Sequence, residues 1–239
     1  MDIIPVIDIM NGVAVHAKEG RREHYRPLRS VLCSSAEPKA VVLGLLRLYP
    51  FKRIYLADLD ALMGKAPQTA LAADLGRSFP EIEFWIDRGL PSPGDLPFSP
   101  SETNARSVVG SESLSGESFA VLSRSCPDFI LSLDFLGDRL LGMEPLLESP
   151  ELWPERVILM SLSHVGSAAG PDFGRLASFS RKHPYRRFIV AGGVRDEQDL
   201  RRLKTMEAAG VLIASVLHSG TVDARLIESV IEGSGDAAV

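Results

Sequence analysis

Two halves of this chain repeat each other at a nearly constant spacing, and few folds accept such a repeat. Ile3-Ile4-Pro5-Val6-Ile7-Asp8 is a continuous apolar run closed by a carboxylate, and Phe129-Ile130-Leu131-Ser132-Leu133-Asp134 is another, 126 positions further on. Arg53-Ile54-Tyr55-Leu56-Ala57-Asp58-Leu59-Asp60 aligns with Arg156-Val157-Ile158-Leu159-Met160-Ser161-Leu162-Ser163 at a separation of 103. Phe84-Trp85-Ile86-Asp87-Arg88-Gly89 aligns with Phe188-Ile189-Val190-Ala191-Gly192-Gly193 at 104, a register that also sets Asp95-Leu96 on Asp199-Leu200. Val108-Val109-Gly110-Ser111 falls on Leu212-Ile213-Ala214-Ser215, again at 104. The longer first offset places an insertion, the polar stretch from His16 to Glu37, after the first strand of the first half.

Eight short runs, near 3–8, 53–58, 82–87, 106–110, 128–134, 156–161, 187–191 and 211–214, are apolar throughout. Strands with one wet face alternate; continuous runs belong to strands covered on both faces, as in parallel sheets. Amphipathic stretches of helical length follow, among them Pro38 to Leu48 with a stripe of Val41, Val42, Leu45 and Leu46, and Asp196 to Met206 with Leu200, Leu203 and Met206. Eight βα units with two-fold internal symmetry predict an α/β fold, a (β/α)₈ TIM barrel of two half-barrels, about 1–126 and 127–232. A doubly wound open sheet fits less well, because no single Gly-rich fingerprint dominates.

The 239 residues suit one barrel over 1–232, followed by a flexible tail at 233–239. A net charge of −5 without a basic, aromatic-interleaved stripe argues against nucleic acid as partner. No apolar run approaches the ~20 residues of a membrane span. The chain opens directly on a strand, which predicts a cytoplasmic protein. Cys33 and Cys126 fit neither a metal spacing nor a disulfide framework.

In parallel barrels the C-terminal strand ends carry the active site, and the first and fifth strands face each other across it. Asp8 and Asp134 are therefore the candidate catalytic pair, one accepting a proton and the other donating one across a small substrate. Either alone could equally cap a loop or pair with a neighbouring cation. Gly192-Gly193 after the seventh run and Ala214-Ser215 after the eighth are candidate phosphate-binding positions, where backbone N–H groups can approach an anion. Their first-half counterparts are Gly89, with Arg88 beside it, and Gly110-Ser111. The match is uneven, since Asp87 and Arg88 stand where the second half has Ala191 and Gly192. Further candidates for substrate contact are His16 and Lys18 in a basic insertion that could close as a lid, Asp58 at the second strand end, Ser161, and His164. Asp58, Asp60 and Ala57 cannot all face inward, because side chains alternate along a strand; one of the two carboxylates should bond a neighbouring strand end.

Ile4-Pro5-Val6-Ile7-Asp8-Ile9 with Asn11-Gly12, Tyr55-Leu56-Ala57-Asp58-Leu59-Asp60, Val108-Val109-Gly110-Ser111, Leu131-Ser132-Leu133-Asp134, Gly166 to Pro171, and Ala191-Gly192-Gly193-Val194 carry a family resemblance. The chain resembles, from Asp2 to about Ile231, the histidine-biosynthesis phosphoribosylformimino-aminoimidazole-carboxamide ribotide isomerase and its relative, the cyclase of imidazole glycerol phosphate synthase. Most of all it is similar to the divergent isomerase/cyclase-related proteins of methanogens and methylotrophs. The resemblance implies a duplicated half-barrel that binds a substrate with two phosphates. It also implies an Amadori rearrangement of aminoaldose to aminoketose by the aspartates at positions 8 and 134, with no cofactor and no metal. The cyclase relative works with a glutaminase on the opposite barrel face, so a protein partner at the N-terminal face is a further expectation.

The chain departs from the family pattern at three places. Ile86-Asp87-Arg88-Gly89-Leu90 replaces a Gly-Gly-Gly-Ile-Arg-like run, Met160 and Val165 replace a Thr and the Asp of an Asp-Gly, and Ala214-Ser215 replaces Gly-Arg or Gly-Lys. The reading that follows is a sugar-phosphate isomerase of ribotide-like substrates. The alternatives are a lyase or condensing enzyme on a smaller phosphorylated compound in pterin-linked one-carbon metabolism, and a non-catalytic phosphate-ligand-binding subunit.

Overall fold

The computed structural model describes residues 1–18, 21–89, 104–125, 128–167 and 169–232. Cys126, the Asp95-Leu96 pair and the expected tail at 233–239 lie outside them. Among the described residues eleven strands form one sheet: β1 (Asp2–Met10), β2 (Val13–His16), β3 (Arg26–Pro27), β4 (Arg53–Asp58), β5 (Glu83–Asp87), β6 (Ala105–Gly110), β7 (Ile130–Leu136), β8 (Arg139–Leu140), β9 (Arg156–Ser161), β10 (Arg187–Ala191) and β11 (Gly210–Ile213). Eight of them run parallel in the order β1-β4-β5-β6-β7-β9-β10-β11, and β11 pairs back onto β1 to close a TIM barrel.

The sequence repeat survives as hydrogen-bond register. Asp8 pairs with Ala57, Ala57 with Asp87 and Asp87 with Val108. In the other half Asp134 pairs with Met160, Met160 with Ala191 and Ala191 with Leu212. Val108 then meets Ile130, and Leu212 meets Ile4, so each row re-enters its neighbour four residues below its starting aspartate. Two such steps per circuit make a stagger of eight, the shear that closes a (β/α)₈ barrel.

Alternation sorts the strand residues into two layers. Ile3, Ile7, Ile54, Leu56, Phe84 and Ile86 pack outward against the helices. Ile4, Tyr55, Trp85, Val108, Ile130, Ile158, Ile189 and Leu212 fill the barrel. Burying each such side chain contributes about 1.5–3 kcal/mol. Helices α1 (Pro38–Leu48), α2 (Leu59–Leu62), α3 (Thr69–Ser78), α4 (Gly116–Ser125), α5 (Phe173–Lys182), α6 (Glu197–Thr205), α7 (Ser215–His218) and α8 (Ala224–Glu232) complete most of the units. After β7 the expected helix is replaced by 3₁₀ turns at Glu144–Glu148 and Pro150–Leu152. Pro150 stops a helix that begins at Glu144, since proline removes the N–H that a continuing helix needs.

Both aspartate-bearing strands run two residues past the carboxylate into an antiparallel hairpin, β1 into β2 and β7 into β8. The first turn, Asn11-Gly12, has positive φ at both residues (51° and 78°), the backbone of the tight turn that suits two twisted strands. None of the helices among the described residues is long and apolar enough to cross a membrane.

Candidate active site

The C-terminal strand ends and the β2–β3 hairpin enclose a cavity of about 820 Å³. Its wall includes Asp8 of β1, Tyr55 and Ala57 of β4, Asp87 of β5, Asp134 of β7, Met160 of β9 and Ala191 of β10. β7 lies four strands from β1 in either direction round the barrel, so Asp8 and Asp134 approach the cavity from opposite sides.

Asp134 is 6% exposed and carefully held. Its Oδ1 accepts the Ser132 hydroxyl at 2.7 Å, its Oδ2 the Ser111 hydroxyl at 3.4 Å, and its own N–H donates to Ser111 Oγ at 3.0 Å. Gly110 leaves room for the carboxylate, since a Cβ there would stand 2.7 Å from Oδ2. Burial raises the Asp134 pKa, with the charge of Asp87 next; the Ser132 bond opposes them, the Glu112 charge adds to them, and the result is about 7. Asp134 therefore exchanges its proton near neutral pH, which suits a general acid. Asp8, partly exposed, is reached by solvent through the cavity.

Tyr55 and Asp87, not among the site residues expected from the sequence, form a second buried pair. The Tyr55 hydroxyl donates to Asp87 Oδ2 at 2.7 Å, and the Gly89 N–H donates to Asp87 Oδ1 at 3.2 Å. Burial, then the charge of Asp87 and its hydrogen bond, then the charges of Asp134 and Asp8, push the Tyr55 phenol well above its ordinary value. Tyr55 therefore stays a proton donor, in the field of all three carboxylates. Glu112, and Glu23 from the segment between β2 and β3, bring the carboxylates on the cavity wall to five among the described residues.

The other side of the cavity is built differently. Gly192, Gly193, Ala214 and Ser215 line it, with His16, His218 and Arg29. Gly192 and Gly193 have φ of +100° and +87°, and a Cβ would stand 2.6 Å from the Ser161 carbonyl oxygen or 2.3 Å from that of Gly170. Only glycine fits there, and the backbone stays open to the cavity. Arg29, exposed at the rim, has neither an ion pair nor a hydrogen bond among the described residues. His218 is buried, contacts Ser30 Oγ through Nδ1 at 2.9 Å, and is driven down to about 4 by burial and then by the nearby His16. Arg195 reaches the wall but is held by both oxygens of Asp199, at 2.9 and 2.8 Å.

Several expected contacts point elsewhere. Asp58 faces outward, where its oxygens accept the N–H of Ala61 at 3.1 Å and of Gln68 at 2.6 Å and so cap α2. Asp60 bonds the N–H of Asn11 at 2.6 Å, at the end of the neighbouring β1. Ser161 follows the inward-facing Met160 and is turned out to accept from Arg175 at 2.8 Å. His164 Nδ1 meets the Gly170 carbonyl at 2.7 Å and braces the loop beneath Gly193. Arg88 sits beside Asp58 in a separate small pocket, and Lys18 is not part of the cavity wall. Gly89, Gly110 and Ser111 serve Asp87 and Asp134 and do not line the cavity.

The comparisons agree with this architecture. Residues 143–223 match the family model described as histidine biosynthesis protein. An uncharacterized protein of Methanocaldococcus jannaschii is 30% identical over 99% of this chain and 100% of its own length. The chain is a divergent member of the histidine-biosynthesis protein family. Within this family it is similar to two proteins named as 1-(5-phosphoribosyl)-5-((5-phosphoribosylamino)methylideneamino)imidazole-4-carboxamide isomerases. That of Symbiobacterium thermophilum is 24% identical over 93% of this chain and 94% of its own, and that of Desulforudis audaxviator 26% over 93% and 88%. Among solved structures, 3-hexulose-6-phosphate synthase from Salmonella typhimurium superposes with a TM-score of 0.61 over 97% of this chain and 99% of that one, at 12% identity, a likeness of fold.

Proposed function

We propose that this protein is an aldose–ketose isomerase acting on an aminated, ribotide-like sugar phosphate. The observation that carries the reading is the placement of Asp8 and Asp134. They occupy equivalent rows of the two half-barrels, face one cavity from opposite sides, and differ in environment. Asp134, buried and with a pKa raised to about 7, is the acid; Asp8, open to solvent, is the base. Two carboxylates with different surroundings divide acid and base work in this way.

The reaction needs no net proton. Asp134 gives its proton to the ring oxygen of the aminoaldose, the C1–O bond breaks, and the nitrogen lone pair forms C1=N as an iminium. Asp8 takes the proton from C2, the C2–H electrons form C1=C2 and neutralise the nitrogen. The resulting enaminol becomes the aminoketose as its hydroxyl proton leaves and C1 gains one. The carboxylates around the cavity stabilise the iminium, since at an effective dielectric near 20 each unit charge within ~5 Å is worth about 3 kcal/mol. Gly192, Gly193 and Ser215 receive the phosphate through backbone N–H groups and the serine hydroxyl, with Arg29 and His16 at the rim.

The test is turnover of the histidine-pathway aminoaldose ribotide, and of smaller aminoaldose phosphates, by purified protein in D₂O. Ketose formation with deuterium at C1 supports the reading. A folded protein that exchanges no hydrogen of any of these compounds refutes it.

A further inference from the structure

We infer that Asp87 and Tyr55 set the charge of the substrate: the side of the cavity facing the Gly192-Gly193 loop takes a protonated nitrogen, where a doubly phosphorylated ligand would place its second phosphate. The inference rests on the phosphate reading of the Gly192-Gly193 loop.

The internal symmetry supplies the control. In the repeat Tyr55 corresponds to Ile158 and Asp87 to Ala191, and both second-half residues are buried in the barrel at equivalent register. The fold is thus satisfied by an aliphatic side chain and a methyl group at these positions. A buried phenol–carboxylate pair in the other half is costly to desolvate and is not demanded by packing. It points into the cavity, which is where such a cost finds a use.

The same half has lost the means to hold a phosphate. Gly89, the counterpart of Gly193, gives its N–H to Asp87, and the Ser111 hydroxyl donates to Asp134 Oδ2 at 3.4 Å and accepts from the Asp134 N–H at 3.0 Å. Asp8, Asp87, Glu112 and Asp134 all line the cavity. A phosphate placed among them meets like charge, whereas an ammonium, amidinium or iminium meets acceptors on several sides. β5 stands four strands from β10, so the cationic and anionic ends of the ligand lie across the barrel from each other. The second half keeps its glycine loop and carries no carboxylate at the matching row positions, Met160, Ala191 and Leu212, apart from Asp134 itself.

Calorimetric titration of the purified protein near pH 7 with glucosamine 6-phosphate, glucose 6-phosphate, fructose 1,6-bisphosphate and inorganic phosphate separates the possibilities. The amino sugar phosphate should bind about tenfold or more tightly than glucose 6-phosphate, the worth of one charged hydrogen bond. Asp87→Asn should abolish that preference while glucose 6-phosphate binds as before. Glu112→Gln, at an exposed position that folding tolerates, should reduce the preference about two- to fivefold. Tightest binding of the bisphosphate, or a preference for the amine that persists in both variants, overturns the inference and leaves the phosphate reading standing. Binding of none of the four, inorganic phosphate included, overturns the phosphate reading and this inference with it.

Discussion

Replacing Asp134 by Asn should make the protein more stable at alkaline pH while destroying its activity. In the unfolded chain the carboxyl titrates near 3.8; in the barrel it titrates at about 7. A raised carboxyl pKa means that the folded state binds the proton more tightly. The stability this confers is fully present below pH 3.8, declines as pH rises, and is gone once pH passes about 7. At 1.36 kcal/mol per unit the whole span is worth about 4 kcal/mol, of which roughly 3 kcal/mol falls between pH 5 and 8. His218 works in the opposite sense. Its pKa, lowered from 6.5 to about 4, contributes stability that is present above pH 6.5 and is lost as pH falls through 4. The wild-type profile alone therefore mixes two slopes, and the variant isolates one. Urea denaturation of wild type and Asp134→Asn at pH 5 and pH 8 gives the difference directly. The variant, whose amide resembles the protonated carboxyl, should lead by about 1.5 kcal/mol at pH 5, where the carboxyl of the unfolded chain is already ionised, and by about 4 kcal/mol at pH 8. A difference unchanged between the two pH values would refute the placement of a neutral carboxyl at this position.

Asp87→Asn removes the charge that, after burial, does most to raise the Asp134 pKa. The alkaline limb of the kcat profile should move to lower pH. Gly193→Ala forces a positive φ on an L-residue and sets its Cβ 2.3 Å from a backbone carbonyl oxygen; it should cost roughly 2–3 kcal/mol in thermal or chemical melts and abolish phosphate binding. Asp58→Ala should cost about 1–2 kcal/mol through the lost cap of α2 and leave kcat unchanged, because the side chain faces away from the cavity.

Much of the barrel is legible in the sequence because its determinants are local and repeated. Continuous apolar runs define the strands, and the constant offset equals the structural register, so that 57 with 160, 87 with 191 and 108 with 212 are equivalent in both. The hairpin after β1 is signalled by Asn11-Gly12, a strong turn pair, but the apolar runs end at Asp8 and Asp134 and do not mark the two further residues by which β1 and β7 extend. Strand parity settles the misplaced candidates: with Ala57 and Met160 inward, Asp58 and Ser161 must point out. The Tyr55–Asp87 pair was harder. Tyr55 sits opposite Trp85, so it meets Asp87 only diagonally, two residues along the next strand, and that neighbour relation exists only once register is fixed. Glu112 and His218 enter from segments after the strands, where no periodic pattern fixes direction.

The account stands on the division of labour between Asp8 and Asp134. Its most direct test is the rate of exchange of the C2 hydrogen of an aminoaldose phosphate in D₂O, followed by proton NMR for wild type, Asp8→Asn and Asp134→Asn. Each variant should fold and bind the compound, yet exchange and turnover should fall about 10²–10⁴-fold. Exchange at the wild-type rate in Asp8→Asn, from a protein that still needs Asp134, would contradict the assignment of Asp8 as the base.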